Sequence, residues 1–286
     1  MMPVPFPVLT AVTDNPWQPL RQFTAARIAL GRSGVSLPTL PHLAFQLAHA
    51  QARDAVHLAL DVPQLLHALE SAGLARAGET LVLDSAAADR LQYLHRPDLG
   101  RRLSDASRAR LQALPAQATA RVFDLAVVMV DGLSALALAR QAVPLLRALQ
   151  PHITTARWSL APMVIVRHGR VAVGDEIGQL LKARSLLLLI GERPGLSSPD
   201  SLGAYLTWMP RAGLTDASRN CLSNIRPAGL LFEEAAIKVH YLLAEMQRRQ
   251  LSGVPLKDES NVDSGLLAAP GAVSRANFNL FSGGSV

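Results

Sequence analysis

Short unbroken runs of apolar residues alternate with longer helix-compatible stretches through the second half of the chain. Such runs are typical of strands that are buried on both faces, as a parallel sheet requires. The pattern predicts strands at 124–130, 163–167, 186–190 and 205–209, and helices at 135–149, 175–182 and 231–250. Strands that alternate with helices at this spacing indicate a parallel α/β sheet with helices on both of its faces.

The first half of the chain is mainly helical in its pattern. Helices are predicted at 42–60, 64–72, 86–94 and 104–114, with one short strand at 80–84. The stretch 115–119 predicts a linker, so we place a mainly helical N-terminal region at 1–115 and the sheet domain at 120–251. Residues 252–286 are rich in Ser, Gly, Asn and Ala without periodicity, which predicts a disordered tail.

A polar segment directly follows the most continuous apolar run. The predicted strand 186–190 is followed by Gly191, Glu192, Arg193 and Pro194. In open α/β sheets, ligands bind at the carboxyl ends of the strands, where loops carry function on a rigid support. The sequence therefore predicts a site around Glu192 and Arg193. A tight turn with both side chains in solvent is the alternative interpretation.

Composition limits the class of protein. The chain has 286 residues, of which 49% are hydrophobic, so it can build a large core without disulfides. Its single cysteine favours a reducing compartment. The first residues contain no basic segment of a signal peptide, and no apolar run approaches the ~20 residues of a membrane span. We therefore expect a soluble cytoplasmic protein that binds no membrane.

The formal net charge of +6 raises the question of nucleic-acid binding. All but three of the 28 Lys and Arg residues are arginine, and they are scattered along the chain. No basic tract occurs with aromatic residues placed for base stacking, so no nucleic-acid partner is expected. Arginine also suits bidentate contacts with phosphates, carboxylates and partner proteins.

No motif of a self-sufficient active site is present in the sequence. It lacks the glycine-rich dinucleotide and P-loop signatures, and it lacks the nucleophile elbow of hydrolases. Cys221 has no nearby cysteine with which to bind zinc, and His42, His49 and His57 are spaced too far apart on a helix to share one ion. No metal site is expected. A binding subunit fits this inventory better than an independent enzyme.

Several sequence blocks together resemble one protein family. They include GERPGL from Gly191, SPDSLGAYLTW from Ser198, TDASRNCLSNIRPAG from Thr215, GRVAVGDEIG from Gly169 and RPDLGRRL from Arg96. In this order and spacing, the blocks resemble the small (light) subunit of ethanolamine ammonia-lyase. The resemblance extends over residues 26–250, which is most of the chain.

The resemblance implies a function, a cofactor and a partner. The family converts ethanolamine to acetaldehyde and ammonia with adenosylcobalamin. The substrate belongs to a large subunit, and the small subunit contributes a Rossmann-like domain that helps hold the cofactor between the two chains. The family positions that contact cobalamin correspond to Val171, Glu192 and Cys221. Glu192 would accept hydrogen bonds from cobalamin donors, Val171 would pack or offer its backbone, and Cys221 would pack closely.

The family also implies a location. Many enterobacterial relatives carry a longer Ala/Ser/Cys-rich N-terminal extension that is linked to packaging in bacterial microcompartments, and this chain begins without one. The cytoplasm is the expected location, with a microcompartment as the alternative. Two other functions stay open from the residues alone: a free-standing α/β enzyme that uses an unrecognised nucleotide, and an arginine-rich nucleic-acid-binding protein.

Overall fold

A six-stranded sheet forms the centre of the computed structural model, which describes residues 11–114 and 122–260. The strands are β1 (Leu81–Asp84), β2 (Phe123–Val130), β3 (Val164–Arg167), β4 (Ala183–Gly191), β5 (Leu202–Trp208) and β6 (Arg219–Ile225). The helices are α1 (Thr39–His57), α2 (Val62–Ser71), α3 (Arg90–His95), α4 (Asp105–Gln112), α5 (Ala135–Ala156), α6 (Val173–Leu180) and α7 (Phe232–Arg249). The predicted strands and helices therefore exist, with shifted ends.

The sheet is mixed, with the strand order β1-β3-β2-β4-β5-β6. The first four strands in this order are parallel, whereas β5 and β6 run antiparallel to their neighbours. The prediction of a parallel sheet is correct for the first four strands and wrong for the last two. The segment between β4 and β5 is too short for a helical crossover, so the chain returns beside β4 in the opposite direction.

The strand β6 was not predicted, because its sequence is polar. It lies at the edge of the sheet, and its inner residues alternate between exposed and partly buried positions. An edge strand needs an apolar residue only where it faces the core, so Arg219–Ile225 shows no continuous apolar run.

Helices cover both faces of the sheet, which gives the three layers that the sequence predicted. On one face, Leu125 and Met129 of β2 share a core with Leu145 of α5 and Leu243 of α7. On the other face, Val128 and Val130 of β2 pack in a second core with α6 and α4. Successive residues of β2 thus alternate between the two cores. Nearly every residue of β2 is buried, as a central strand covered on both faces requires.

Helix α5 is longer than predicted. The sequence pattern predicts that this helix ends at residue 149, yet the structure continues it to Ala156 with Pro144 and Pro151 inside. Leu149 and Ile153 lie buried on the same face, one turn apart. Packing of that face offsets the hydrogen bond that Pro151 cannot donate.

The chain that precedes the predicted linker contributes to the sheet. Strand β1 is the edge strand beside β3, with Leu83 opposite Val166. The predicted linker at 115–119 lies outside the described residues. The division into 1–115, 120–251 and 252–286 stays a prediction.

The described start of the predicted tail packs on the sheet domain. Leu256 is only 2% exposed in the core beside α7. The Asn220 side-chain amide donates to the Leu256 carbonyl over 2.8 Å, and Lys238 forms an ion pair with Asp258 over 3.1 Å. Residues 261–286 lie outside the described part of the chain, so for them the predicted disorder stays a prediction.

We expect truncation after Gly253 to lower the free energy of unfolding by about 2–4 kcal/mol, because it removes the buried Leu256 side chain and the bonds around it. Leu256→Ala in the full chain should reproduce most of this loss. Val254→Ala, at an exposed position of the same segment, is the matched control and should change stability by less than about 0.5 kcal/mol. Urea denaturation measures all three, and a truncated chain as stable as the full chain would contradict the packing of this segment.

Within the two described ranges, none of the helices has the combination of length and hydropathy that a membrane span requires.

Candidate functional site

The loops that follow β2 and β4 meet at the carboxyl edge of the parallel strands. From β2 the chain moves to β3 on one side and then returns to β4 on the other, so the strand order reverses between β2 and β4. Open α/β sheets bind ligands at such a reversal. Leu133 donates its backbone N–H to the Gly191 carbonyl over 2.9 Å, and a Cβ on Gly191 would overlap the Ser134 carbonyl. Only glycine allows the two loops to approach this closely.

A cavity of about 420 Å³ opens beside these loops. It is lined by Val171 and Glu192, two of the residues that the family resemblance implied, together with Tyr205 of β5. Cys221 of β6 lies next to the cavity, because it is the direct cross-strand partner of Tyr205. The structure therefore brings Val171, Glu192 and Cys221 to one region.

The Glu192 carboxylate is held in place by hydrogen bonds on one oxygen. Its Oε2 accepts from the Ser201 hydroxyl over 2.5 Å and from the Asn224 backbone N–H over 3.4 Å. The side chain lies against Gly203, where an added Cβ would come within 2.7 Å of Oε1. No donor in the described part of the chain hydrogen-bonds to Oε1. Glu192, which lines the cavity, thus keeps one acceptor oxygen without a donor among the described residues.

Cys221 and Tyr205 form a neutral pair beside Glu192. Cys221 is an exposed residue, yet desolvation by its neighbours is the largest cause that raises the pKa of its thiol. A hydrogen bond with Tyr205 opposes this increase, and the nearby Glu192 charge adds a smaller increase to the pKa. Burial is also the main cause that raises the pKa of Tyr205. Both groups are therefore protonated near neutral pH. A protonated thiol is a poor nucleophile, so this arrangement suits contact with a ligand better than covalent catalysis.

The position of Val171 is set by its neighbour Arg170. The Arg170 backbone N–H donates to the Gly100 carbonyl over 2.7 Å, and its guanidinium lies 4.3 Å from the ring centroid of the fully buried Tyr93. The Arg90 guanidinium lies near the same ring, at 4.9 Å. Burial raises the pKa of Tyr93 to about 12, so the ring between the two cations stays neutral. This stack ties the start of α6 to α3.

Asp131, directly after β2, ties the loops at this edge together. Its two carboxylate oxygens accept the backbone N–H groups of His168 and Gly169 over 2.9 and 3.2 Å. Arg90 lies 3.8 Å from the same carboxylate. Burial is the main cause that raises the pKa of Asp131.

Sequence reasoning missed Tyr205, the Tyr93 stack and the role of Asp131. An acidic residue directly after a buried strand was the available signal for Asp131. The contacts of Tyr93 with Arg90 and Arg170 have no local signal, because they join segments that are far apart in the chain.

The fold and the site define an α/β protein with a cavity at the carboxyl edge of a mixed sheet. The family model for the ethanolamine ammonia-lyase light chain (EutC) matches residues 14–257. The chain belongs to this family, as the sequence blocks predicted.

Curated relatives with high sequence identity are named ethanolamine ammonia-lyase small subunit. The chain is 59% identical to the ethanolamine ammonia-lyase small subunit of Pseudomonas paraeruginosa over 255 residues, which cover 89% of this chain and 91% of the relative. It is 58% identical to the small subunit of Azotobacter vinelandii, over 87% of this chain and 91% of the relative. The small subunit of Pseudomonas putida is 56% identical over 96% of this chain and 98% of the relative.

Proposed function

We propose that this chain is the small subunit of an adenosylcobalamin-dependent ethanolamine ammonia-lyase and that it holds one side of the cofactor against a large subunit. The single observation that carries the proposal is that Val171 and Glu192 line one cavity at the switch point of the sheet, with Cys221 next to it as the cross-strand partner of Tyr205. These residues are far apart in the sequence, and the family resemblance had implied all three.

The side chains at the cavity fit the chemistry of the cofactor. The corrin ring carries amide side chains, which are hydrogen-bond donors, and Glu192 Oε1 is a free acceptor at the cavity wall. Val171 and the neutral Tyr205–Cys221 pair provide uncharged contact surface beside it. No group at this site has to change its charge on binding.

Adenosylcobalamin, when bound, supplies the radical chemistry by which ethanolamine becomes acetaldehyde and ammonia. This chain orients the cofactor. Glu192 would orient one amide side chain of the cofactor through a hydrogen bond, because the bond from the Ser201 hydroxyl keeps the Glu192 carboxylate from turning. The substrate contacts belong to the large subunit in this proposal.

The parallel part of the sheet supports the Rossmann-like designation. The strands β3, β2 and β4 are joined by α5 and α6, which pack on opposite faces of the sheet. We include a Rossmann-like cobalamin-binding domain in the proposal on this basis. The reducing cytoplasm, or a microcompartment within it, fits the single cysteine.

The surface of α1 supports a partner chain. Leu40, Leu43 and Leu47 of this helix are 79%, 56% and 60% exposed. Only Ala48 and Ala55 of the helix are buried. Clustered exposed leucines are typical of protein–protein contacts, so we propose that the large subunit covers α1.

We expect the purified chain to show no turnover of ethanolamine, because the substrate contacts belong to the partner. Co-purification with the large subunit should give acetaldehyde release that depends on added adenosylcobalamin. An assay of the isolated chain, the isolated large subunit and the complex measures this directly. Full turnover by the isolated chain would refute the subunit assignment.

A further inference from the structure

A second cleft, of about 660 Å³, adjoins the cavity that contains Glu192. It lies between the short 3₁₀ helix Leu99–Arg101, the start of α6 and the loop that leads into β6. Arg170 and Val171 line both the cavity and the cleft. A ligand that contacts Val171 in the cavity can therefore extend directly into the cleft.

Three arginines of this cleft have no carboxylate partner. Arg101, Arg102 and Arg170 line the cleft, and none of them forms an ion pair with any carboxylate in the described ranges. The Nε–H of Arg170 is buried and has no acceptor within the described structure. Unpaired guanidinium groups that share one concave surface attract an anion.

The acidic residues of the cleft form their ion pairs with two other arginines, Arg108 and Arg219, and not with these three. Glu176 accepts from Arg108 over 2.5 Å. Asp175 and Asp216 both accept from Arg219, which is buried at the floor of the cleft. The four arginines and three carboxylates that line the cleft leave a formal charge of +1, and Arg101, Arg102 and Arg170 are the guanidinium groups there that contact no carboxylate among the described residues.

We propose that the cleft binds a phosphate group, and that this group is the phosphodiester in the nucleotide loop of adenosylcobalamin. The proposal rests on the proposed function, since it requires the cofactor to lie against Val171 and Glu192. The phosphodiester is the peripheral anion of a cofactor whose other side chains are uncharged amides. Arginine forks match phosphate oxygens in geometry as well as in charge. The exposed side chains of Arg101 and Arg102 would close on this group from the surface.

The test compares three corrinoids that differ at the phosphate. Adenosylcobalamin contains the phosphodiester, adenosylcobinamide phosphate keeps a phosphate without the nucleoside, and adenosylcobinamide has no phosphate. Each is titrated into the complex with the large subunit, and the corrin absorption spectrum reports the Kd without any need for turnover. For Arg101→Ala/Arg102→Ala we expect about 10- to 30-fold weaker binding of the first two corrinoids and less than about a twofold change for adenosylcobinamide.

Two further variants separate charge at the cleft from charge elsewhere. Arg101→Lys/Arg102→Lys should keep most of the affinity for adenosylcobalamin, because the positive charges remain. Arg147→Ala is the matched control, since it removes an exposed arginine of α5 that does not line the cleft. It should leave all three Kd values unchanged.

Several results would overturn the proposal. An unchanged Kd of the double alanine variant for adenosylcobalamin would show that the arginines do not reach the phosphate. An equal loss of affinity for all three corrinoids, or a failure to assemble, would indicate that Arg101 and Arg102 instead contact acidic side chains of the large subunit. A wild-type complex that binds none of the corrinoids would instead refute the proposed function itself.

Discussion

Glu192→Ala is expected to raise the Kd of the assembled complex for adenosylcobalamin by about 10- to 150-fold. Glu192 lines the cavity and its Oε1 has no donor among the described residues, and loss of a hydrogen bond to a carboxylate costs about 1.5–3 kcal/mol. Because the substrate contacts are placed in the other subunit, the rate at saturating cofactor should fall less than the affinity. Cofactor titration followed by corrin absorption measures this effect.

The Glu192 side chain also has a structural role, which the controls must separate. Its Oε2 accepts from Ser201 and from the backbone of Asn224, so it joins the start of β5 to β6. Ser201→Ala removes the first of these bonds and leaves the free acceptor, so it should change the Kd by less than about fivefold. If Ser201→Ala lost as much affinity as Glu192→Ala, the orientation of the Glu192 side chain, and not its free acceptor, would account for the change in Kd.

Two further variants rank the contributions of the Glu192 and Cys221 side chains to cofactor affinity. Glu192→Gln should lose less affinity than Glu192→Ala, because an amide keeps one acceptor oxygen. Cys221→Ala should be milder still, because the exposed thiol is protonated and offers mainly packing. If Glu192→Ala binds adenosylcobalamin as tightly as wild type, the proposed site residues are wrong even though the family is established.

Arg219→Met is expected to lower the free energy of unfolding by about 3–5 kcal/mol. The Arg219 and Asp175 side chains are each only 2% exposed and form an ion pair that joins β6 to α6. Removal of the guanidinium leaves a buried carboxylate without a compensating charge. Urea denaturation of the full chain measures the loss.

The pH dependence of this variant follows from the pKa of Asp175. Burial, as the largest cause, raises this pKa to about 6 despite the opposing effect of Arg219, whereas the pKa of an aspartate in an unfolded chain is about 3.9. A carboxyl with a raised folded-state pKa contributes stability that is present below about pH 4 and lost as the pH rises through about 6. Without Arg219 the pKa rises further. The deficit of Arg219→Met relative to wild type should therefore be larger at pH 8 than at pH 5.

Two controls test whether the buried charge is the cause. Asp175→Asn/Arg219→Met removes both charges and should recover much of the stability that Arg219→Met loses. Asp216→Ala removes the exposed partner of Arg219, whose carboxylate is 95% exposed, and should cost less than about 1 kcal/mol. An equal deficit of Arg219→Met at both pH values would contradict this account.

The sequence by itself determined the central strands and most of the helices. The apolar run at 186–190 lies inside β4, and Ser104 caps α4 by accepting the Ser107 N–H, because burial on both faces and helix capping leave a signal in neighbouring residues. It also determined the family, because the motif blocks are local in the chain and were specific enough to be recognised without coordinates.

Only the tertiary structure decided the strand directions and the composition of the site. The polar strand β6, the continuation of α5 through Pro151 and the Arg219–Asp175 pair all depend on packing partners distant in the chain. In the same way, Glu192 meets Ser201 and Tyr205 faces Cys221 only because β5 returns antiparallel beside β4. Hydrophobic periodicity reports which face of an element is buried, but it contains no information about which element lies against that face.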